Sequence, residues 1–178
     1  MPPLRRTWYF SAVLLLCLLA QLPAQRGPAP TDIAVYFSPK GGCTAAIVKE
    51  INAAQRELKV QAYSFTSTDI ASAIAKAHDR GVKVTVILDK SQRSEQYSAA
   101  TYLDNNKVPV FIDAKHAIAH NEIIIVDGQT VLTGSSNYTK QAEDSNAENL
   151  LVIRDAGLAA KYAGNFAEHL KHSEVYKR

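Results

Sequence analysis

The chain has 178 residues, 47% of them hydrophobic and 21% charged, with a formal net charge of +3. That balance excludes a disordered chain, and the length suits one domain with a sizeable core better than two. Loss of Arg5 and Arg6 with the first 24 residues would lower the net charge from +3 to +1, which excludes a polybasic nucleic-acid binder. Any contact with nucleic acid then has to come from a local patch.

Those first residues read as a secretory signal. Arg5 and Arg6 precede the apolar run Trp8 to Ala20, and QLPAQ follows with a small residue at Ala24. The run is shorter than the roughly 20 residues that cross a bilayer, so residues 1–24 are expected to be removed and the protein to be periplasmic or secreted. Cys17 would leave with them, and Cys43 alone cannot form an intrachain disulfide. Cys43 is expected as a small buried residue at a helix start.

Residues 25–31, QRGPAPT, form a proline-rich linker before a domain over 32–178. Ile33 to Ser38 has strand composition and SPKGG is a turn. Apolar residues at 46, 47, 51, 54 and 58 recur at helical spacing. Leu58 to Phe65 alternates as a strand. Ser67, Thr68 and Asp69 offer caps for a helix that runs to His78 and stops at Gly81. Val82 to Asp89 is a β-branched run of the kind buried on both faces. A polar loop, a helix over Tyr97 to Asn105 and a strand over Val108 to Ile112 come next. HNEIIIVD (His120 to Asp127) and TVLTG (Thr130 to Gly134) read as a hairpin that turns at Asp127-Gly128-Gln129. A strand over Glu148 to Asp155 and a helix over Ala156 to His172 close the chain. Alternating strands and helices with a late hairpin predict an α/β sandwich: a mixed, largely parallel central sheet flanked by helices.

From His120 the pattern runs His, one residue, Glu122, four residues, Asp127, six residues, then Gly134-Ser135-Ser136-Asn137. It resembles the signature of the phospholipase D superfamily, His-x-Lys, four residues, Asp, six residues, Gly-Ser-x-Asn, with every position matched except the lysine. AYSFTSTDI (Ala62 to Ile70), GSSNYTKQAE (Gly134 to Glu143) and NAENLLVI (Asn146 to Ile153) extend the resemblance to the small secreted bacterial endonucleases of that superfamily. It implies a phosphodiesterase with His120 as nucleophile, Glu148 orienting its far ring nitrogen, and Ser135 and Asn137 binding phosphate oxygens. Asp127 is either part of the catalytic set or a hairpin residue. Larger relatives carry the motif twice; a single copy implies a homodimer that brings two His120 residues into one site. The resemblance implies no metal or other cofactor, and nucleic acid, DNA foremost, as substrate. A lipid enzyme would be expected to expose an apolar loop, and none is evident outside residues 8–20.

Residues i and i+2 on a strand share a face, so His120 and Glu122 are expected side by side. Glu122 at the lysine position removes a cation, repels an anionic substrate and favours the imidazolium form of His120, which cannot attack. Activity is therefore expected at least about 10³-fold below that of a lysine-bearing relative, unless Lys140 or Lys115 substitutes. Two other readings compete. The protein could be a nucleic-acid-binding dimer without turnover, or a metal-binding protein with His116, His120 and Glu122 as ligands.

Overall fold

The computed structural model describes residues 31–177. The proposed signal peptide and all but the last residue of the linker lie outside the described residues. Among these, eight strands form one sheet: β1 (Asp32–Phe37), β2 (Glu57–Ala62), β3 (Lys83–Asp89), β4 (Val110–Asp113), β5 (Ile123–Val126), β6 (Thr130–Gly134), β7 (Asn149–Arg154) and β8 (Glu174–Val175). Their order across the sheet is β1-β7-β6-β5-β2-β3-β4-β8. The helices are α1 (Cys43–Ala53), α2 (Thr68–Asp79), α3 (Ala99–Asn105), α4 (Lys140–Asp144) and α5 (Ala156–His172), with a 3₁₀ turn over Lys90–Arg93.

The sheet is mixed, as expected. The expectation that it is largely parallel holds only for β2, β3 and β4, whose crossovers are the helices α2 and α3. All other neighbours pair antiparallel. The reason is plainest at β5–β6, where a three-residue connection is too short for a crossover.

Alternation along the strands divides the core into two layers. Leu58, Val60, Val84, Val86 and Ile124 face one way, onto Ile47, Ile51, Ile70 and Ile74 of α1 and α2. Ile87, Ile123, Ile125 and Val131 face the other way, onto Ala159 and Phe166 of α5. This two-sided burial explains why VKVTVILD and EIIIV read as continuous apolar runs. Cys43 is buried at the first position of α1, where its sequence context placed it. Ser67 caps α2 by accepting a hydrogen bond from Ile70 N.

Candidate active site

The topology brings distant parts of the chain to one edge of the sheet. β5 runs antiparallel to both β2 and β6, and β7 runs antiparallel to β6. The end of β2, the start of β5, the end of β6 and the start of β7 therefore lie together. His120 and Glu122 precede β5, Ser135 and Asn137 follow β6, and Glu148 precedes β7. Five of the six residues singled out in the sequence are thus gathered at this edge.

The sixth is not. Asp127 stands at the far end of β5, five residues beyond Glu122, or roughly 17 Å along an extended strand. Its carboxylate accepts hydrogen bonds from the backbone N–H groups of Gln55, Arg56 and Glu57, at 3.0, 2.7 and 3.0 Å. Burial pushes that carboxyl up, but the three N–H groups and the Arg56 charge outweigh it and hold Asp127 below the ordinary carboxylate range. Asp127 and Gly128 both adopt left-handed φ, 54° and 65°, as a tight hairpin requires. The catalytic assignment of Asp127 is therefore replaced by a structural one.

At the gathered edge, the strand predicted from His120 begins only at Ile123. The cause is local. Tyr63 N–H, the next donor after β2, goes to Glu122 Oε1 at 3.1 Å and not to a backbone carbonyl, so the ladder stops. Regular strand pairing does not reach this pair, and the two differ in exposure: His120 is exposed and Glu122 is only 6% exposed. They remain neighbours through Tyr63, whose ring meets the His120 imidazole edge-on with centroids 4.6 Å apart. Asp89 fixes the approach to His120 by accepting from Ala119 N at 2.7 Å. Lys90 Nζ donates to the carbonyl of His116 at 2.9 Å.

Glu122 Oε2 is buried without a hydrogen-bond partner. Burial pushes this carboxyl well above the ordinary carboxylate range, against the pull of the Tyr63 and Ser64 N–H groups, and Glu148 nearby raises it further. The residue is drawn toward the neutral acid. The expected repulsion of phosphate by a Glu122 anion is weakened to that extent, while the position still carries no cation.

Gly134 allows β6 to end against β7. A Cβ there would fall 2.2 Å from Asn149 O, the atom that accepts from Ser135 N and Ser136 N. Ser135 Oγ donates to Glu148 Oε2 at 2.7 Å, and Asn146 Nδ2 donates to Glu148 Oε1 at 3.0 Å. Glu148 is thus held beside Ser135, and no hydrogen bond joins it to His120 among the described residues. The expected carboxylate–imidazole pair is not formed in the single chain; the two bonds instead orient Glu148 toward Ser135 and Asn146. Asn137 Oδ1 is buried and unpartnered. The adjoining backbone is fixed by Tyr138, which is fully buried against Phe65 and bonds Ser64, Thr66 and Ser67 of the segment after β2.

Neither candidate substitute cation meets His120. Lys140 is 89% exposed and pairs with Asp144, on the wall of a separate cleft of about 720 Å³ between α1, α2 and α4. Lys115 is exposed, and its backbone N–H bonds Asp113. The metal set of His116, His120 and Glu122 is also not assembled: His116 turns to Asp113, and Glu122 is buried with one oxygen on the Tyr63 N–H. Sequence reading missed a different cluster, Asp113 with His116, His169 and His172. His169 and His172 look like surface residues of a polar helix. The available signal was the repeated spacing Asp-x₂-His and His-x₂-His.

Residues 47–170 match the family model described as cardiolipin synthase, PLD-like domain. The chain belongs to the phospholipase D superfamily. A member of that superfamily named phospholipase D, from Rickettsia prowazekii, is 39% identical over 136 residues, which cover 76% of this chain and 66% of the relative. The chain thus spans just under two thirds of that relative's length. Among solved phospholipase D-like folds, Nuc from Salmonella typhimurium superposes with a TM-score of 0.80 at 33% identity, covering 84% of this chain and all of Nuc. NucT from Helicobacter pylori gives 0.76 at 27%, covering 83% of this chain and all of NucT.

Proposed function

We propose that this chain is a phosphodiesterase that hydrolyses nucleic acid, DNA foremost, in a homodimer whose two His120 residues share one site. One His120 attacks phosphorus, forming an N–P bond as the bond to the leaving oxygen breaks. The second His120 gives that oxygen its proton, then takes a proton from water. The water oxygen attacks phosphorus and the N–P bond breaks, returning both imidazoles to their starting state. Ser135 and Asn137 hydrogen-bond the phosphate oxygens, and Glu148 orients His120 once the dimer forms. The leader-like residues 1–24 favour a periplasmic or secreted enzyme.

The observation that carries the reading is the convergence of an exposed His120 with Ser135, Asn137 and Glu148 at one sheet edge of a phospholipase D fold. The motif resemblance to the small secreted endonucleases of the superfamily, together with the likeness to Nuc and NucT along their whole length, supports nucleic acid over lipid. Glu122 leaves the site without its expected cation, so turnover is low, by about 10²–10³ relative to a lysine-bearing site. That deficit also favours, as a second reading, a nucleic-acid-binding dimer without turnover.

Nicking of supercoiled plasmid by the purified protein, with and without EDTA, tests the proposal, with phosphatidylcholine vesicles as the lipid arm. Plasmid should be nicked in both conditions, and His120→Ala should not nick it. Plasmid that is bound and never nicked would favour the binding reading. Phosphatidic acid released without nicking would move the substrate to lipid.

A further inference from the structure

A second constellation stands on the opposite flank of the sheet from the hairpin and plays no part in the chemistry above. Asp113 ends β4 and is completely buried. Its Oδ2 lies 2.7 Å from His169 Nδ1, 3.1 Å from His116 Nδ1 and 3.2 Å from His172 Nε2. The four side chains can present one ligand atom each, all within 4.8 Å of one another. The three rings surround the carboxylate with centroids 5.0, 5.2 and 5.5 Å apart.

One carboxylate oxygen cannot align well with three imidazoles. Its other oxygen already accepts from Lys115 N at 3.1 Å, and His172 Nε2, although buried and near, forms no aligned hydrogen bond. The supports around the cluster are in place. Ser173 Oγ donates to His169 O at 2.8 Å, and the Lys90 bond to His116 O fixes the loop.

We propose that Asp113, His116, His169 and His172 form a binding site for one divalent transition-metal ion of the zinc class. Three imidazole nitrogens and one carboxylate oxygen are the donors that Zn²⁺ takes in a tetrahedron. Bonds of about 2.0–2.1 Å place such ligands about 3.3 Å apart. The three Asp113–His distances, 2.7, 3.1 and 3.2 Å, fall below that spacing, and no two ligand atoms are more than 4.8 Å apart. Four protein ligands leave no open position, so the site is structural and distinct from the hydrolytic one.

Its consequence lies in what it joins. His169 and His172 belong to the last turn of α5, one helical turn apart. His116 belongs to the loop that reaches His120 four residues later. A bound ion would cross-link the closing helix to the segment that carries the nucleophile.

The test uses the full purified chain, stripped with EDTA, desalted and titrated with ZnCl₂ at pH 7.5. One ion per chain should bind with a dissociation constant below about 1 µM. A hundredfold excess over that constant should raise Tm by about 5–10 °C. Co²⁺ should give the intense visible absorption of a tetrahedral site. His169→Gln and His172→Gln should each lose the cobalt spectrum and weaken binding by more than the about 10–100-fold typical of an outer-shell change. His78→Gln, on the remote helix α2, should bind as the parent does and controls for adventitious histidine binding. Metal-free Tm and far-UV circular dichroism establish that each variant is folded, and Asp113→Asn, which keeps the side-chain shape, provides a further ligand variant. Absence of stoichiometric binding, or binding that survives in both histidine variants, would overturn the site and leave a charge cluster. None of these readouts depends on hydrolysis, so they stand or fall separately from the proposed activity.

Discussion

Replacing Glu122 with lysine makes the clearest demand on the proposed chemistry. The substitution removes the acceptor of Tyr63 N–H, a bond of 3.1 Å, and orphaning that buried donor costs about 1–3 kcal/mol. Part of this is returned, because the unpartnered Oε2 leaves the interior with its desolvation penalty. A fold stabilised by about 5–15 kcal/mol tolerates the balance. The lysine stem can run past Tyr63 and carry its ammonium to the exposed side where His120 stands. There it supplies the missing charge for the phosphate, and the rate should rise by about 10²–10³. Single-turnover cleavage of a labelled short DNA duplex, and of the matching single strand, at neutral pH reads this directly. Glu122→Gln belongs beside it. That change keeps the shape and removes ionisation, and should recover only a small part of the gain, because the native carboxyl is already drawn toward neutrality. A lysine variant that is folded and dimeric yet no faster than the parent would refute the assignment of Glu122 as the defect, and the phosphodiesterase reading would yield to a binding role.

Other outcomes follow from the same geometry. His120→Ala should abolish hydrolysis in the presence or absence of chelator, measured by plasmid nicking. Light scattering at micromolar concentration should give a dimer mass; a monomer would count against the shared site. Glu122 binds its proton more tightly folded than unfolded, so the native state holds more protons above the ordinary carboxylate pKa near 4.5, and stability should fall as pH rises from there. Urea unfolding at pH 5 and pH 8 should show that fall, and Glu122→Gln should reduce it. Asp127→Ala removes the acceptor of three backbone N–H groups and leaves a residue with φ of 54° that alanine disfavours. It should cost about 2–4 kcal/mol in urea unfolding, and any loss of activity should track the unfolded fraction.

The alternating strands and helices were legible because apolar runs and caps are local signals: Ser67 does cap α2, and the Asp-Gly turn does close the hairpin. The direction of pairing was less so. Parallel order was read from alternation, but β1, β7 and β8 find antiparallel partners through contacts far apart in sequence. At the site, spacing from His120 singled out Ser135 and Asn137, the resemblance added Glu148, and the fold brings all three to one edge with His120. It misjudged the strand start, because a side chain, Glu122, takes the N–H that the ladder would have used. It also could not reveal that Glu122 is buried, since a carboxylate in a polar context reads as solvated. The Asp113 cluster was hidden for another reason: its histidines come from a loop and a helix 53 residues apart, and only the folded sheet brings them to one carboxylate.

The anchoring of Asp127 gives the signature a mechanical sense. Its carboxylate caps the N–H groups ahead of β2 while its own N–H donates to Glu57 O, so the far end of β5 is pinned against β2 at one register. A slip by a single residue would send every β5 side chain to the other layer of the core and carry the His120 segment with it. The fixed count of residues between Glu122 and Asp127 therefore works as a ruler. It sets how far His120 protrudes from the sheet edge, and it does so from the opposite end of the strand.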